Sequence, residues 1–301
     1  MSIIVNQLVK SYGAQNAVDG ISFEAQKGEI LGFLGPNGAG KTTTMKILTC
    51  FIPQTSGTAS VCGFDTLRDA MQVRQRIGYL PEHNPLYKDM YVKEYLTFVA
   101  GLHRVPNVPQ RVAEMIDRVG LGVEQRKLIG ALSKGYRQRV GLAQAMIHDP
   151  EVLILDEPTT GLDPNQLVEI RLLIKSLAAE KTVVLSTHIM QEVEALCDRV
   201  IIINKGELVA NDSIAALRNR SSAETVVTVE FLEATKISGL KQIKGVREVQ
   251  QLADNKFQLH ANSDTDIRPA IAAFAAAQKL TLLEIKREES SVQDVFQALT
   301  K

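Results

Sequence analysis

The sequence predicts an α/β chain: a doubly wound, largely parallel core followed by a small α+β domain. Three observations carry this reading. The runs VLIL (152–155) and VVL (183–185) lack polar alternation, which suits strands buried on both faces of a parallel sheet, and a helical pattern follows each. A glycine-rich loop, GPNGAGKT (35–42), stands between a strand-like run and a helix-like run. Beyond residue 217 the runs fall in the order β-α-β-β-α-β.

The elements justify themselves in turn. IIVNQLVKSY (3–12) and GISFEAQKGE (20–29) have half-polar faces and predict an antiparallel β subdomain. EILGFLG then GKTTTMKILTC, EVLILDE then NQLVEIRLLIKSLAAE, and TVVLSTH then IMQEVEALC are strand–helix alternations of the main sheet. Residues 88–148 read as mostly helical, an inserted helical subdomain. LRNRSSAE (217–224) is polar and aperiodic, which predicts a first domain over 1–217, a linker over 218–224 and a second domain over 225–301. That second domain has strands at TVVTVEFL, VREVQQL, KFQLHA and LTLLEIK, the ferredoxin-like order. Its longer helix puts Ile267, Ile271 and Phe274 on one stripe. A last helix is expected to open at Ser291, with Asp294 three residues on and Val292, Val295, Phe296 and Leu299 on one face docking onto the small domain.

Composition narrows the function. Lys plus Arg and Asp plus Glu both total 34, so no broad field draws nucleic acid or anionic lipid. Cys50, Cys62 and Cys197 are odd in number and widely spaced, as expected of a reduced, cytosolic chain. No apolar run reaches bilayer length. Work at a membrane would need another chain to cross it.

Phosphate chemistry is the strongest signal. GPNGAGKT matches G-x-x-x-x-G-K-[ST] in the strand–loop–helix context that its mechanism requires. Gly35, Gly38 and Gly40 let the backbone of Gly35, Pro36, Asn37, Gly38, Ala39, Gly40 and Lys41 turn its N–H groups around phosphates, with Thr43 just inside the helix. Lys41 reaches the β- and γ-phosphates and Thr42 offers a hydroxyl to Mg²⁺. Asp156 ends a predicted buried strand where such sheets bind ligands, and is the expected Mg²⁺ carboxylate. Glu157 beside it is the candidate general base, and His188, ending the next strand, emerges on the same edge. A second anion site is predicted about a hundred residues on: LSKGYRQR places Ser133 and Gly135 where a helix begins.

GPNGAGKTT, LSKGYRQR, VLILDEPTTGLDP and LSTH, in this order and spacing, resemble the nucleotide-binding subunit of an ABC transporter over residues 1 to about 217. The resemblance implies a P-loop ATPase with ATP and Mg²⁺, in which the signature of one copy, Ser133, Lys134, Gly135 and Tyr136, closes over ATP held by the other copy. It further implies that Asp163 in GLDP crosses the dimer interface and that Tyr12 stacks on adenine. Two departures stand out. Glu82 occupies the place of a Mg²⁺-sensing glutamine, and Lys134 and Tyr136 replace a glycine and a glutamine. A separate membrane permease is expected to dock near residues 83–105, which puts the chain at the cytoplasmic face of the membrane. Length, the single phosphate loop and the ending SSVQDVFQALT resemble the ATPase subunits of bacterial two-component exporters, nearest the gliding-motility-associated group. The competing reading is a soluble ABC ATPase switching on ribosomes or DNA. One phosphate loop, no heptad run and zero net charge count against it. A third reading is a nucleotide-gated regulator whose second domain binds a small effector.

Overall fold

The computed structural model describes residues 1–220, 224–262, 266–288 and 296. In chain order the elements are β1 (Ile3–Tyr12), β2 (Gln15–Ala25), β3 (Ile30–Leu34), α1 (Lys41–Leu48), β4 (Ser56–Val61), β5 (Phe64–Asp65), α2 (Ala70–Arg76) and β6 (Ile77–Leu80). The helical stretch holds α3 (Val92–Leu102), α4 (Val108–Arg118), a 3₁₀ turn at Ile129–Ala131 and α5 (Lys134–Met146). Then come β7 (Val152–Asp156), α6 (Pro164–Ala178), β8 (Thr182–Thr187), α7 (Met190–Leu196), β9 (Arg199–Asn204), β10 (Glu207–Ser213) and α8 (Ile214–Arg220). The remainder is β11 (Glu224–Phe231), α9 (Ile237–Leu240), β12 (Val246–Ala253), β13 (Lys256–Asn262), α10 (Arg268–Ala277) and β14 (Leu282–Glu288). The chain divides into two units, Met1–Ile214 and Ala215–Lys301.

The first unit contains a six-stranded sheet in the order β10-β9-β3-β8-β7-β6, parallel except at β10. Every residue of β3, β7 and β8 is buried, as the apolar runs require, and each enclosed Val, Leu or Ile contributes about 1.5–3 kcal/mol. A four-stranded antiparallel sheet, β2-β1-β4-β5, shares a core with it, where Phe23 meets Phe33 edge-on at 4.9 Å. Neighbouring β3, β8, β7 and β6 run parallel, so the phosphate loop, His188, Asp156, Glu157 and Glu82 all leave the same edge of the sheet. That register positions the site.

The second unit is an antiparallel sheet in the order β12-β13-β11-β14 with α9 and α10, the ferredoxin-like arrangement. Val227, Val229, Phe231, Phe257, Leu259, Ile267 and Ile271 form its core. Ser291 and the apolar stripe at Val292, Val295 and Leu299 lie outside the described residues.

Two readings need correction. The stretch 217–220, expected to be irregular, is helical, because Ile214, Ala215, Ala216 and Leu217 start α8 with favourable residues that carry it through Arg220. The division also falls at Ile214, three residues before the expected boundary at 217. Residues 199–213 had no predicted strand, yet form the β9–β10 hairpin; its two-residue turn, Lys205 and Gly206, has positive φ at both positions (50° and 86°), as a primed turn demands.

Candidate nucleotide-binding site

The phosphate loop joins β3 to α1. Gly40 has φ 108°, and a Cβ there would lie 2.4 Å from the Ala17 carbonyl, so only glycine fits. Gly38, at φ 80°, has nothing within 4 Å of where a Cβ would stand, which leaves its face open to a ligand. Lys41 is buried, and its ammonium donates to the carbonyls of Gly35 (2.8 Å) and Pro36 (3.2 Å). Burial holds its pKa below the usual lysine value, against the pull of Glu157, Asp156 and Glu82.

Beside Thr42, Asp156 Oδ1 accepts from the Thr42 hydroxyl at 3.3 Å and from the Ser186 hydroxyl, while buried Oδ2 has no hydrogen-bond partner among the described residues. Burial raises this carboxyl's pKa, and the two hydroxyls oppose the shift. Glu157 adopts φ 51°, a conformation rare for a residue with a Cβ, and its N–H donates to the Ser186 carbonyl at 3.1 Å. This turn sends the Glu157 carboxylate back beside the sheet edge. There Oε1 lies 2.9 Å from His188 Nδ1 and Oε2 accepts from Thr160 Oγ1 at 3.0 Å. The carboxylate is buried and the imidazole half-exposed.

Asn37, Gly38, Gly40, Lys41, Thr42, Thr43, Glu82, Glu157 and His188 thus line one cleft of about 320 Å³, together with Ala17. Pro36 is exposed and Ala39 buried, and both serve as frame. Ala17, Ser186 and Thr160 were not singled out from the sequence. Ser186 and Thr160 lie within LSTH and VLILDEPTTGLDP, but nothing in either run marks them as site residues. Tyr12 does not line the cleft; it stands exposed at the end of β1, with the Lys10 ammonium 5.2 Å from its ring centre.

The signature is separate. Ser133 caps α5, its Oγ accepting from Tyr136 N–H at 3.3 Å, and Asp163 caps α6 in the same way, accepting from Gln166 N–H at 2.9 Å. Gln166 lies over Gly135, whose added Cβ would meet its Oε1 at 2.3 Å, and the Lys134 ammonium lies against Gly161. Ser133 and Lys134 are exposed, and none of Ser133, Lys134, Gly135 or Tyr136 lines the phosphate-loop cleft of its own chain.

A family profile described as ABC transporter matches residues 18–160. The bacitracin transport ATP-binding protein of Bacillus licheniformis is 40% identical over 310 residues, spanning 98% of this chain and 97% of that protein. The chain belongs to the ABC transporter ATP-binding proteins. The linearmycin resistance ATP-binding protein of Bacillus subtilis strain 168 is 32% identical over 297 residues, 97% of this chain and 96% of that protein. A solved ATP-binding subunit of an ABC transporter superposes with a TM-score of 0.68 at 27% identity, covering 73% of this chain and 93% of that one. This chain is therefore the ATP-binding, ATP-hydrolysing subunit of an ABC transporter. The two relatives carry antibiotic-transport and resistance names rather than gliding-motility ones.

A second concavity of this ABC ATPase, about 520 Å³, opens beside the helical stretch and is lined by Phe51, Tyr79, Pro81, His83, Pro85, His103 and His148, among others. His103 and His148 stack at 4.0 Å. Burial lowers the His148 pKa to about 4. Nearby, Tyr87, Tyr91, Phe98 and Leu102 are exposed. Among the described residues no helix is long and apolar enough to cross a membrane.

Proposed function

We propose that two copies of this subunit bind two ATP molecules with Mg²⁺, close on them, and drive a separate permease from the cytoplasmic face of the membrane. The observation that carries this reading is the separation of Ser133 and Gly135 from the cleft around Lys41 within one chain. Each chain then holds two half-sites. An isologous pair completes both.

In each cleft Lys41 and the loop backbone hold the β- and γ-phosphates, and Glu157 accepts the proton of the attacking water, oriented by His188. Thr42, Asp156 and Glu82 are hard oxygen donors of the kind Mg²⁺ takes, and Asp156 Oδ2, without a hydrogen-bond partner among the described residues, fits a cation. The ion, when bound, neutralises charge developing on the phosphoryl oxygens. Ser133, Lys134, Gly135 and Tyr136 meet the partner's ATP, and Asp163 lies at the interface. Tyr12 stacks on adenine from its exposed position. The concavity beside residues 83–105 seats the permease, a reading its aromatic lining and the exposed Tyr87 support. The relatives named for bacitracin transport and linearmycin resistance favour export, with the cargo chosen by the permease.

Glu157→Gln tests the core of this reading. The variant should bind ATP and double its mass in light scattering only when ATP is present; a monomer under saturating ATP would refute it. Tyr87→Asp, at a residue 55% exposed, should uncouple transport while sparing basal ATP hydrolysis. Equal loss of both would remove the docking role.

A further inference from the structure

Glu192, in the first turn of α7, is wholly buried (0% exposed) and forms no ion pair with a lysine or arginine among the described residues. A charge so placed is costly, and an apolar side chain of similar size would normally serve packing better. Its two oxygens are nevertheless both engaged. One accepts from Thr159 Oγ1 and the other from Thr187 Oγ1 at 2.9 Å. Thr159 lies two residues after Glu157, and Thr187 lies immediately before His188. Thr187 Oγ1 also accepts from the Ile189 N–H at 3.0 Å, closing the turn on the far side of the histidine.

β7 and β8 are in register up to Asp156 and Ser186, and the Glu157 N–H to Ser186 bond extends this by one step. Past that point no ladder fixes the spacing of the two segments. We propose that Glu192 is a positioning residue for hydrolysis: its carboxylate ties Thr159 to Thr187 and so sets the hydrogen bond between Glu157 and His188. An anionic acceptor with two oxygens can take both hydroxyls at once, whereas a glutamine offers one acceptor oxygen and turns donors toward the other. The proposal rests on the reading of Glu157 and His188 as the hydrolytic pair.

The test uses the full-length chain as Glu192→Gln, His188→Ala and the double variant. It measures turnover, KM for ATP, nucleotide binding in the presence of a chelator, and the thermal midpoint. Glu192→Gln should lower kcat about tenfold or more, as small misplacements of catalytic groups do, with KM and metal-free nucleotide binding unchanged. In the His188→Ala background the same substitution should cost less than about twofold, because the geometry it guards is already gone. An equal loss in both backgrounds, or none in either, overturns the proposal. Full turnover by His188→Ala alone would instead sink the underlying pair assignment, and the proposal with it. Should Glu192→Gln fail to fold, Thr159→Val and Thr187→Val remove one hydroxyl each at nearly constant volume. Each must show the same dependence on His188, and independence overturns the proposal.

Discussion

The phosphate loop and the signature are both polar helix N-termini, but only the first opens into the cleft that Lys41, Glu157 and His188 line in the same chain. At α1 the loop wraps Lys41, the cleft is walled by Glu82, Glu157 and His188, and a glycine with φ 108° lets the backbone close against Ala17. At α5 the cap Ser133 is exposed, and what covers Gly135 is the amide of Gln166, a flexible side chain that can withdraw. The difference teaches that anion-binding chemistry at a helix end is not by itself a complete site. One corner is a cradle. The other, in the proposed dimer, is a lid for the partner's cradle.

Substitutions at the two helix ends should act differently. The largest effect is expected at the cradle: Lys41→Ala removes the buried ammonium and should weaken ATP binding by at least about a hundredfold in equilibrium titration. Retained tight binding would mean that the backbone alone holds the triphosphate. Ser133→Ala should be milder and different in kind. If the proposed pairing holds, ATP affinity of the isolated subunit should stay as it was while turnover drops about tenfold, because the lost contact would be to the partner's nucleotide. A matching loss of monomer affinity would show that the signature serves its own cleft.

The smallest effect is one of pH. Burial depresses the Lys41 pKa, and bound phosphate would raise it again, so binding is coupled to proton uptake between the free and bound values. ATP affinity should therefore be flat near neutrality and fall as pH climbs through the free-state pKa, below 10.5. Titrations from pH 7 upward check the sign. Affinity that rises with pH would contradict it.

Much of the cradle was legible because contact dictates residue type. A loop pressed against a carbonyl must be glycine at 40, and strands enclosed on both faces must read VLIL and VVL without interruption. The sheet edge gathered Asp156, Glu157 and His188 for the same reason. Ser186 was not legible as a site residue, since its tie to Asp156 and Glu157 depends on the β7–β8 register, which no local pattern encodes. Ala17 enters the cleft from the antiparallel sheet, again through tertiary placement. The β9–β10 hairpin did carry a local signal, since Lys205 and Gly206 follow an apolar run and take the two positive-φ places of its turn. Tyr12 stands exposed beside Lys10, outside the phosphate cleft, so its proposed contact with adenine rests on the family resemblance alone.

In the proposed dimer each ATP is held by one copy's cradle and the other copy's lid. Mixing Lys41→Ala with Ser133→Ala subunits tests it directly, because half of the random dimers then contain one cleft with an intact Lys41 facing an intact Ser133. Turnover of the mixture above that of either variant alone is the predicted result. A mixture no more active than the mean of its two components would contradict the account, and would mean that Ser133 does not act across the dimer.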